Sequence, residues 1–532
     1  MKSLLIFILA LTPLVPRPSS VEAVKQKDVQ VQTVLNLMDV HVYADPAFTH
    51  LIEVWQDFLS KGAVQPHFNR TAEKTAANII FEQRGGMQLE EYEIKMDRRS
   101  ITVGASSCQG AWWAMQSLTQ MAIAAFTGES ETVYIPAVII KDCPAYSYRG
   151  AHLDCCRHFF TVNEVKKFID MMCLHKLNTF HWHLTDDQGW RIEIKKYPLL
   201  TKVGTIRKET LIGHSHDKPQ VYDGQPYGEG MFYTQEEVAD VVKYAADRQI
   251  TVIPEIEMPG HMVAALTAYP YLGCTGGPYE VWTKWGISED VLCLGKDSSY
   301  EFVCDVLDEI CELFPSRYIH IGGDEAPVVR RKTCKHCQQK MKELGLENEV
   351  QLQGYLIAKV EEHLKSKGRE IIGWNEIMEA GISKDAIVMS WKGSGTSGIT
   401  AAKGGNRVIM VPSACLYFDH YQTDDHVKYE EPLAIGGNAT MEKVYKLDPC
   451  ASLTPKESRN IIGIQANTWT EYIASFAHVQ HMDLPRMAAL SELSWSKGKD
   501  DYQAFLSRVM DSMLPLYDHF GFIWAPYEFN GR

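Results

Sequence analysis

The sequence has no excess of basic charge. Its 53 Lys and Arg residues stand against 67 Asp and Glu, a formal charge of −14, which argues against nucleic acid or an anionic membrane as the main partner. Beyond the first fifteen residues no segment has the uninterrupted apolar length of a membrane helix, so no transmembrane segment is expected. No glycine-rich phosphate loop follows the first strand of the α/β region described below, which weakens a nucleotide-binding open sheet. Cys334-Lys335-His336-Cys337 has zinc-knuckle spacing, yet no second CxxC or HxxxH pair follows it. The pair therefore reads as a local disulfide or free thiols ahead of a zinc site. Neither a metal nor a cofactor is expected.

What is present is an ordinary globular composition, 45% hydrophobic and 23% charged, spread over 532 residues. That length is too great for one small core and implies two domains. Lys2 precedes an apolar run over 4–15, followed by small residues over 19–23. This pattern is that of a secretory leader over 1–23, cleaved near Ala23, and implies an extracellular, periplasmic or lysosomal destination. Thirteen cysteines leave at least one unpaired. Cys274 and Cys293 flank a Gly/Pro-containing loop and are a plausible disulfide in an oxidising compartment.

Residues 24–145 read as a mixed α/β supporting domain, with strands over 76–83, 92–97 and 100–103 and a helix over 108–125. From 146 to 532 apolar strand-like runs alternate with amphipathic helices. The runs fall at 149–154, 178–184, 251–256, 318–321, 370–374, 386–391, 407–411 and 461–466, with helices such as 162–173, 235–247, 300–313 and 351–366 between them. Eight βα units predict an α/β fold, a (β/α)8 TIM barrel preceded by a smaller N-terminal domain. A doubly wound open sheet is the structural rival.

Chemistry in such a barrel sits at the C-terminal strand ends. Here those ends carry Asp154, His183 with Asp186 and Asp187, Glu255 with Glu257, Asp324 with Glu325, Trp374, Trp391, and Trp469 with Glu471. Carboxylates accept hydrogen bonds from sugar hydroxyls, and aromatic rings cover the apolar C–H faces of sugars, so the constellation points to carbohydrate. In His320-Ile321-Gly322-Gly323-Asp324-Glu325 two glycines permit a tight turn that delivers two adjacent carboxylates. Each raises the other's proton affinity, which suits one of them to act as an acid.

Five segments in this order resemble the β-N-acetylhexosaminidases of glycoside hydrolase family 20. They are Tyr148-Arg149-Gly150 through Arg157-His158-Phe159, Trp182-His183-Leu184-Thr185-Asp186-Asp187-Gln188, Pro254-Glu255-Ile256-Glu257-Met258-Pro259-Gly260-His261, the Gly-Gly-Asp-Glu segment, and Gln465-Ala466-Asn467-Thr468-Trp469-Thr470-Glu471. The resemblance implies exo-acting, retaining hydrolysis of terminal β-linked N-acetylglucosamine or N-acetylgalactosamine. It makes Glu325 the general acid and then base, and has Asp324 orient the 2-acetamido group, whose own carbonyl oxygen attacks to give an oxazolinium ion; this family is a recognised exception to the two-carboxylate rule. Tyr417 would hydrogen-bond the attacking carbonyl, and Trp374, Trp391 and Trp469 would wall the pocket. Arg149, Asp419 and Glu471 would read the hydroxyls at the far end of the ring. His261 would tune the acid or be plainly structural, and Asp154 and Asp187 are structural or support the site from behind. The long segment over 204–232, rich in Gly, His and Asp, resembles the bacterial branch and would line a subsite beyond the cleaved bond.

Two other readings compete. His181 and His183 share a strand face and could form the paired-histidine metal site of a barrel amidohydrolase. The barrel could also be a non-enzymatic sugar binder, since fold does not dictate function. The substrate is the only partner the residues themselves imply; a homodimer is among the assemblies left open.

Overall fold

The computed structural model describes residues 13–27 and 29–529. Eight parallel strands close into a barrel: β1 (Tyr148–Asp154), β2 (Thr179–His183), β3 (Thr251–Met258), β4 (Tyr318–Gly322), β5 (Glu370–Trp374), β6 (Ile387–Ser390), β7 (Val408–Met410) and β8 (Ile461–Thr468). β8 returns to pair with β1, Gly463 opposite Tyr148 and Thr468 opposite Leu153. The open sheet is thereby ruled out. All eight runs read from the sequence are strands of this barrel, and the long helices Val162–Leu174, Gln235–Asp247, Asp297–Leu313 and Glu349–Ser366 follow the first four.

The strands are covered on both faces, as parallel strands are, so their two-residue period decides what points where. One parity fills the lumen: Tyr148, Ile253, Ile372, Trp374, Ile387, Met389, Ile409 and Val411 form one buried cluster. The other parity, including Ala151, Leu153, Phe180, Trp182, Ile319, Ile321 and Ile464, belongs to the cluster shared with the surrounding helices.

The N-terminal domain is a seven-stranded mixed sheet, in the order Ser20–Ala23, Val138–Asp142, Tyr92–Met96, Ile101–Ala105, Ile79–Gln83, Val40–Ala44, Phe68–Arg70. Helix Cys108–Ala124 is buried over most of its length, because it lies between this sheet and the barrel. Its Trp113 meets Trp495 edge-on at 6.0 Å.

Cleavage near Ala23 would cut into this sheet. Most of the apolar leader run lies outside the described residues, but Ser20–Ala23 pairs in full register with Val138–Lys141. Upstream, Leu14 and Val15 are buried; Arg508 donates to the Leu14 carbonyl at 2.8 Å and the Gln120 amide to that of Val15 at 2.6 Å. A cut at Ala23 would remove an edge strand and these anchors.

Arg149 also departs from expectation. It has the outward parity of Ala151 and Leu153 and stands at the start of β1, the end of the barrel away from the strand-end chemistry. Its fully buried guanidinium donates to the carbonyls of Lys176 (2.9 Å) and Tyr146 (2.8 Å) and forms an ion pair with Glu90 of the N-terminal domain. It stacks over Trp495 at 4.8 Å. Beside it Asp142, likewise buried, accepts from Tyr92 (2.6 Å), Trp495 (3.0 Å) and the Lys176 ammonium (3.4 Å). Arg149 is thus a fastener between domains and does not read sugar hydroxyls.

Removing one partner of a buried pair strands the other charge. Arg149→Ala should therefore destabilise the protein by about 3–5 kcal/mol, measured by urea unfolding, while KM per folded molecule stays unchanged. Unaltered stability with a raised KM would return Arg149 to the substrate.

Candidate active site

At the C-terminal end of β4 the chain turns sharply. Gly322 has φ +62° and Gly323 φ +94°. A Cβ on Gly322 would lie 1.8 Å from Glu257 Oε2, and one on Gly323 2.6 Å from Ile377. Only glycine fits both the conformation and the space. Asp324 and Glu325 emerge from this turn, and Glu325 itself is held at φ +40°, the kind of strained backbone that persists where its surroundings enforce it.

Behind them a chain of charged groups runs back into the barrel. His261 Nε2 lies 3.6 Å from Glu325 Oε2 and 3.7 Å from Asp324 Oδ2. Its Nδ1 faces Asp186 (3.2 Å) and Asp187 (3.3 Å). Asp186 also meets His183 Nε2 and Arg157, each at 2.9 Å. His183 Nδ1 in turn meets Glu255 at 2.5 Å, where His181 (3.2 Å), His320 (2.9 Å) and the Trp374 indole (2.7 Å) also converge.

Burial works against every charge in this chain, and the partners decide the outcome. Burial lowers the proton affinity of His261, but the carboxylates of Asp186, Asp187 and Glu325 together outweigh it and hold the imidazole well above its usual range. Burial raises Asp186, yet Arg157 and His261 keep it ionised far down the pH scale. Glu255, against its burial, is held well down by His320, His183 and His181. Asp324 behaves oppositely: burial, reinforced by Glu376 and Glu325 and opposed by His261, pushes its carboxyl up to about 8. His261 thus supports the carboxylate pair directly, and Asp187, which accepts from the Val263 amide at 3.0 Å, supports His261. Asp154 ties β1 to β8 through Thr470 at 3.0 Å and so stands behind the site.

Aromatic rings wall the space above. Trp374 forms the floor, 5.9 Å from Trp469; Tyr417 lies 6.4 Å from Trp469 and stacks on Trp391 at 6.0 Å. The Trp391 indole is fixed by Glu376 at 3.0 Å. On the far side Asp419 is buried with neither carboxylate oxygen hydrogen-bonded among the described residues, and Asp324 Oδ1 is likewise unpaired. Unpaired buried acceptors facing one space are a cost that a hydroxylated or amide ligand relieves. Burial and then Glu471 push Asp419 well above the ordinary carboxylate range.

The structure thus brings Asp324, Glu325, Tyr417, His261, Trp374, Trp391, Trp469, Asp419 and Glu471 to one mouth and leaves Arg149 outside it. The cation missed as a site residue is Arg157. It follows the C-terminal end of β1, donates to Gln188 (2.9 Å) and Asp154 (3.2 Å), lies 3.9 Å from Glu471 and stacks over Trp469 at 5.0 Å. The signal was available, because chemistry belongs to strand ends and Arg149 is at a strand start.

The paired histidines are also placed. His183 spends both ring nitrogens on Glu255 and Asp186, and His181 lies between Glu255 and Gln465 Nε2 (3.0 Å). Both are buried below Trp374 and prop the site from beneath. The 204–232 segment reaches the mouth on the Glu471 side, where His214 lies 5.0 Å from the ring of Tyr472. A separate cleft of about 380 Å³ opens beside Glu325, lined by Ile287, Glu376, Glu379 and Lys392. A larger cleft, about 1090 Å³, lies between the domains at the opposite end and contains none of these residues.

Comparison with known proteins gives a consistent picture. Residues 146–498 match the catalytic domain of glycosyl hydrolase family 20, and 11–143 match that family's domain 2. The chain is 45% identical to a beta-hexosaminidase of Porphyromonas gingivalis, over 81% of this chain and 54% of that protein. It therefore spans about half the length of that relative. It is 36% identical to a beta-hexosaminidase of Vibrio furnissii, over 78% of this chain and 67% of that one. Among solved structures, the exo beta-N-acetylglucosaminidase of Vibrio harveyi bound to N-acetylglucosamine superposes with a TM-score of 0.83 at 30% identity, covering 97% and 78% of the two chains. The beta-N-acetylhexosaminidase of Bacteroides fragilis gives 0.80 at 30%, covering 96% and 97%.

The Asp324 carboxyl ionises near pH 4 when unfolded but only near pH 8 when folded. Its contribution to stability is therefore complete below pH 4 and lost as pH rises to 8. Asp324→Asn removes that titration. Its melting temperature should exceed the parent's by at least about 2 °C at pH 8, and the gap should close toward pH 4 in a thermal-shift series. A gap that widens on acidification would contradict the assignment.

Proposed function

Because the chain belongs to glycosyl hydrolase family 20, we propose that it removes single terminal β-linked N-acetylglucosamine or N-acetylgalactosamine residues from glycoconjugates or chitooligosaccharides, with retention, using the substrate's own acetamido group as nucleophile. The observation that carries this reading is the convergence of Asp324, with an unpaired oxygen, Tyr417 and three tryptophans on one small pocket with Glu325 at its edge. A pocket of that shape holds an acetamido group between an acceptor for its N–H and a donor for its carbonyl.

Glu325 protonates the departing glycosidic oxygen. The acetamido carbonyl oxygen, polarised by the Tyr417 hydroxyl, attacks the anomeric carbon from the opposite face, and Asp324 accepts from the amide N–H as positive charge develops there. Glu325 then takes a proton from the water that opens the oxazolinium ring, and two inversions leave the configuration unchanged. His261 keeps Glu325 oriented throughout. Asp419, Glu471 and Arg157 read the hydroxyls at the closed end, which restricts cleavage to chain termini, and the cleft beside Glu325 takes the leaving group. The two alternative nucleophiles, Glu255 and Glu257, are fully buried; the first is held by histidines, and burial and Asp324 push the second well above the ordinary carboxylate range. The apolar run over 4–12 supports export, with processing upstream of Leu14 so that the edge strand survives.

Chromogenic β-glycosides with and without the 2-acetamido group, in both C4 configurations, test the activity directly. Stepwise fluorination of the acetamido methyl should slow turnover progressively, since it weakens the attacking carbonyl, and the 2-hydroxy sugar should be nearly inert. A flat response, with a glycosyl-peptide trapped by a 2-fluoro sugar, would reveal a protein nucleophile instead. Glu325→Gln should lose at least about a hundredfold on natural leaving groups and much less on very acidic ones; equal losses on both would place the acid elsewhere.

A further inference from the structure

Four cysteine sulfurs meet beside the barrel mouth. Cys274 and Cys293 stand at the two ends of the loop that follows β3. Cys334 precedes, and Cys337 belongs to, the first turn of helix Lys335–Leu344, in the segment that follows β4. The sulfur of Cys293 lies 3.6 Å from that of Cys334 and 3.7 Å from that of Cys337; Cys337 lies 3.9 Å from Cys274. All four are within 4.8 Å of one another. The two expectations of separate local pairs are replaced by one cluster. We propose that Cys274, Cys293, Cys334 and Cys337 form a tetrathiolate site for a zinc ion, which ties the β3 and β4 loops together.

Three of the six sulfur separations are those of a tetrahedron, and the other three stay within 4.8 Å. Zinc–sulfur bonds of about 2.3 Å place ligand sulfurs about 3.8 Å apart, and the three distances above bracket that value. The near contacts run as a chain, with Cys293 almost equally close to Cys334 and Cys337 and Cys337 also near Cys274, so the sulfurs are one cluster and not two isolated pairs.

The surroundings fit an anionic cluster. A Cβ on Gly295 would lie 2.1 Å from the carbonyl carbon of His336 and 2.3 Å from the Cys337 nitrogen. The backbone after Cys293 is thus pressed directly onto the CxxC turn, and the Gly295 amide donates to the Cys293 sulfur. Such N–H donors orient metal-bound thiolates. Arg331 is 1% exposed, and its hydrogen-bond partners among the described residues are backbone carbonyls and the Gln353 amide oxygen, with no carboxylate ion pair. Its Nη2 holds the Ala326 carbonyl at 2.6 Å, its Nε is unpartnered, and it lies within electrostatic reach of Cys337 and Cys274. Four thiolates around one zinc ion carry a net charge of −2, which supplies the anion this buried guanidinium otherwise lacks.

The site would brace the chemistry without touching it. Within the clamped loop the Trp282 amide donates to the Asp187 carbonyl at 3.0 Å and the Leu292 amide to that of Pro259 at 3.0 Å, while Arg331 grips the residue after Glu325.

The test is metal content. Full-length protein purified without chelator and desalted should hold about one zinc per chain by plasma mass spectrometry. Its four cysteines should resist alkylation when native and become reactive once the protein is denatured with EDTA. Cys334→Ser with Cys337→Ser should lose the metal. If that variant does not fold, cobalt exchanged into the unaltered protein should show the thiolate-to-metal charge transfer of a tetrahedral tetrathiolate. A metal-free protein with four free thiols would overturn the proposal. So would a mass lower by four hydrogens with disulfide-linked peptides, or zinc that survives the double substitution.

Discussion

The organisation of this site depends on one carboxylate placed where a carboxylate is hardest to keep. Glu255 is fully buried at the centre of the barrel, and an isolated charge there would simply take up a proton. Three histidines and an indole surround it, so it stays ionised and becomes the fixed point of the assembly. From Glu255 one line runs to Trp374, the floor of the pocket. Another runs through His183 and Asp186 to His261, and so to Glu325. Trp374 and Glu325 are therefore positioned by the same buried charge. Alternation of sign along the line, from carboxylate to imidazole to carboxylate to imidazole, lets each group satisfy the next.

At the mouth the logic inverts. Asp324 and Asp419 are buried, but oxygens of both lack hydrogen-bond partners among the described residues, and burial raises their proton affinities. The scaffold spends its hydrogen bonds on the inner members of the line and leaves the outer ones unfulfilled, the usual trade between stability and function at a binding site.

Much of this was legible beforehand. The eight strand runs, the glycine turn, the carboxylate pair and the tryptophans follow from periodicity and from which strand ends carry them. Three things were missed, each for a definable reason. Arg149 has the place in the motif that a sugar-reading arginine would have, but its parity with Ala151 and Leu153 turns it away from the lumen; Arg157, eight residues later, lies at the correct end. Strands Ser20–Ala23, Val40–Ala44 and Phe68–Arg70 are short and partly exposed, so their alternation is too brief to stand out, and the first hides inside a leader-like composition. The four cysteines come as two pairs about forty residues apart, and only the packing of two loops brings them together.

The join between the domains has a consequence for modularity. Along the chain the boundary near residue 145 resembles a seam, with one recognisable unit on each side. Energetically it is not one. Arg149 and Lys176 of the barrel find their counter-charges in Glu90 and Asp142 across it, and Trp113 of the first unit lies against Trp495 of the second. A barrel cut free at this point would leave Arg149 and Lys176 without their counter-charges and expose the Trp495 indole. The two units are thus inseparable by truncation, and a chimera that supplies a foreign first domain must bring both acids in register.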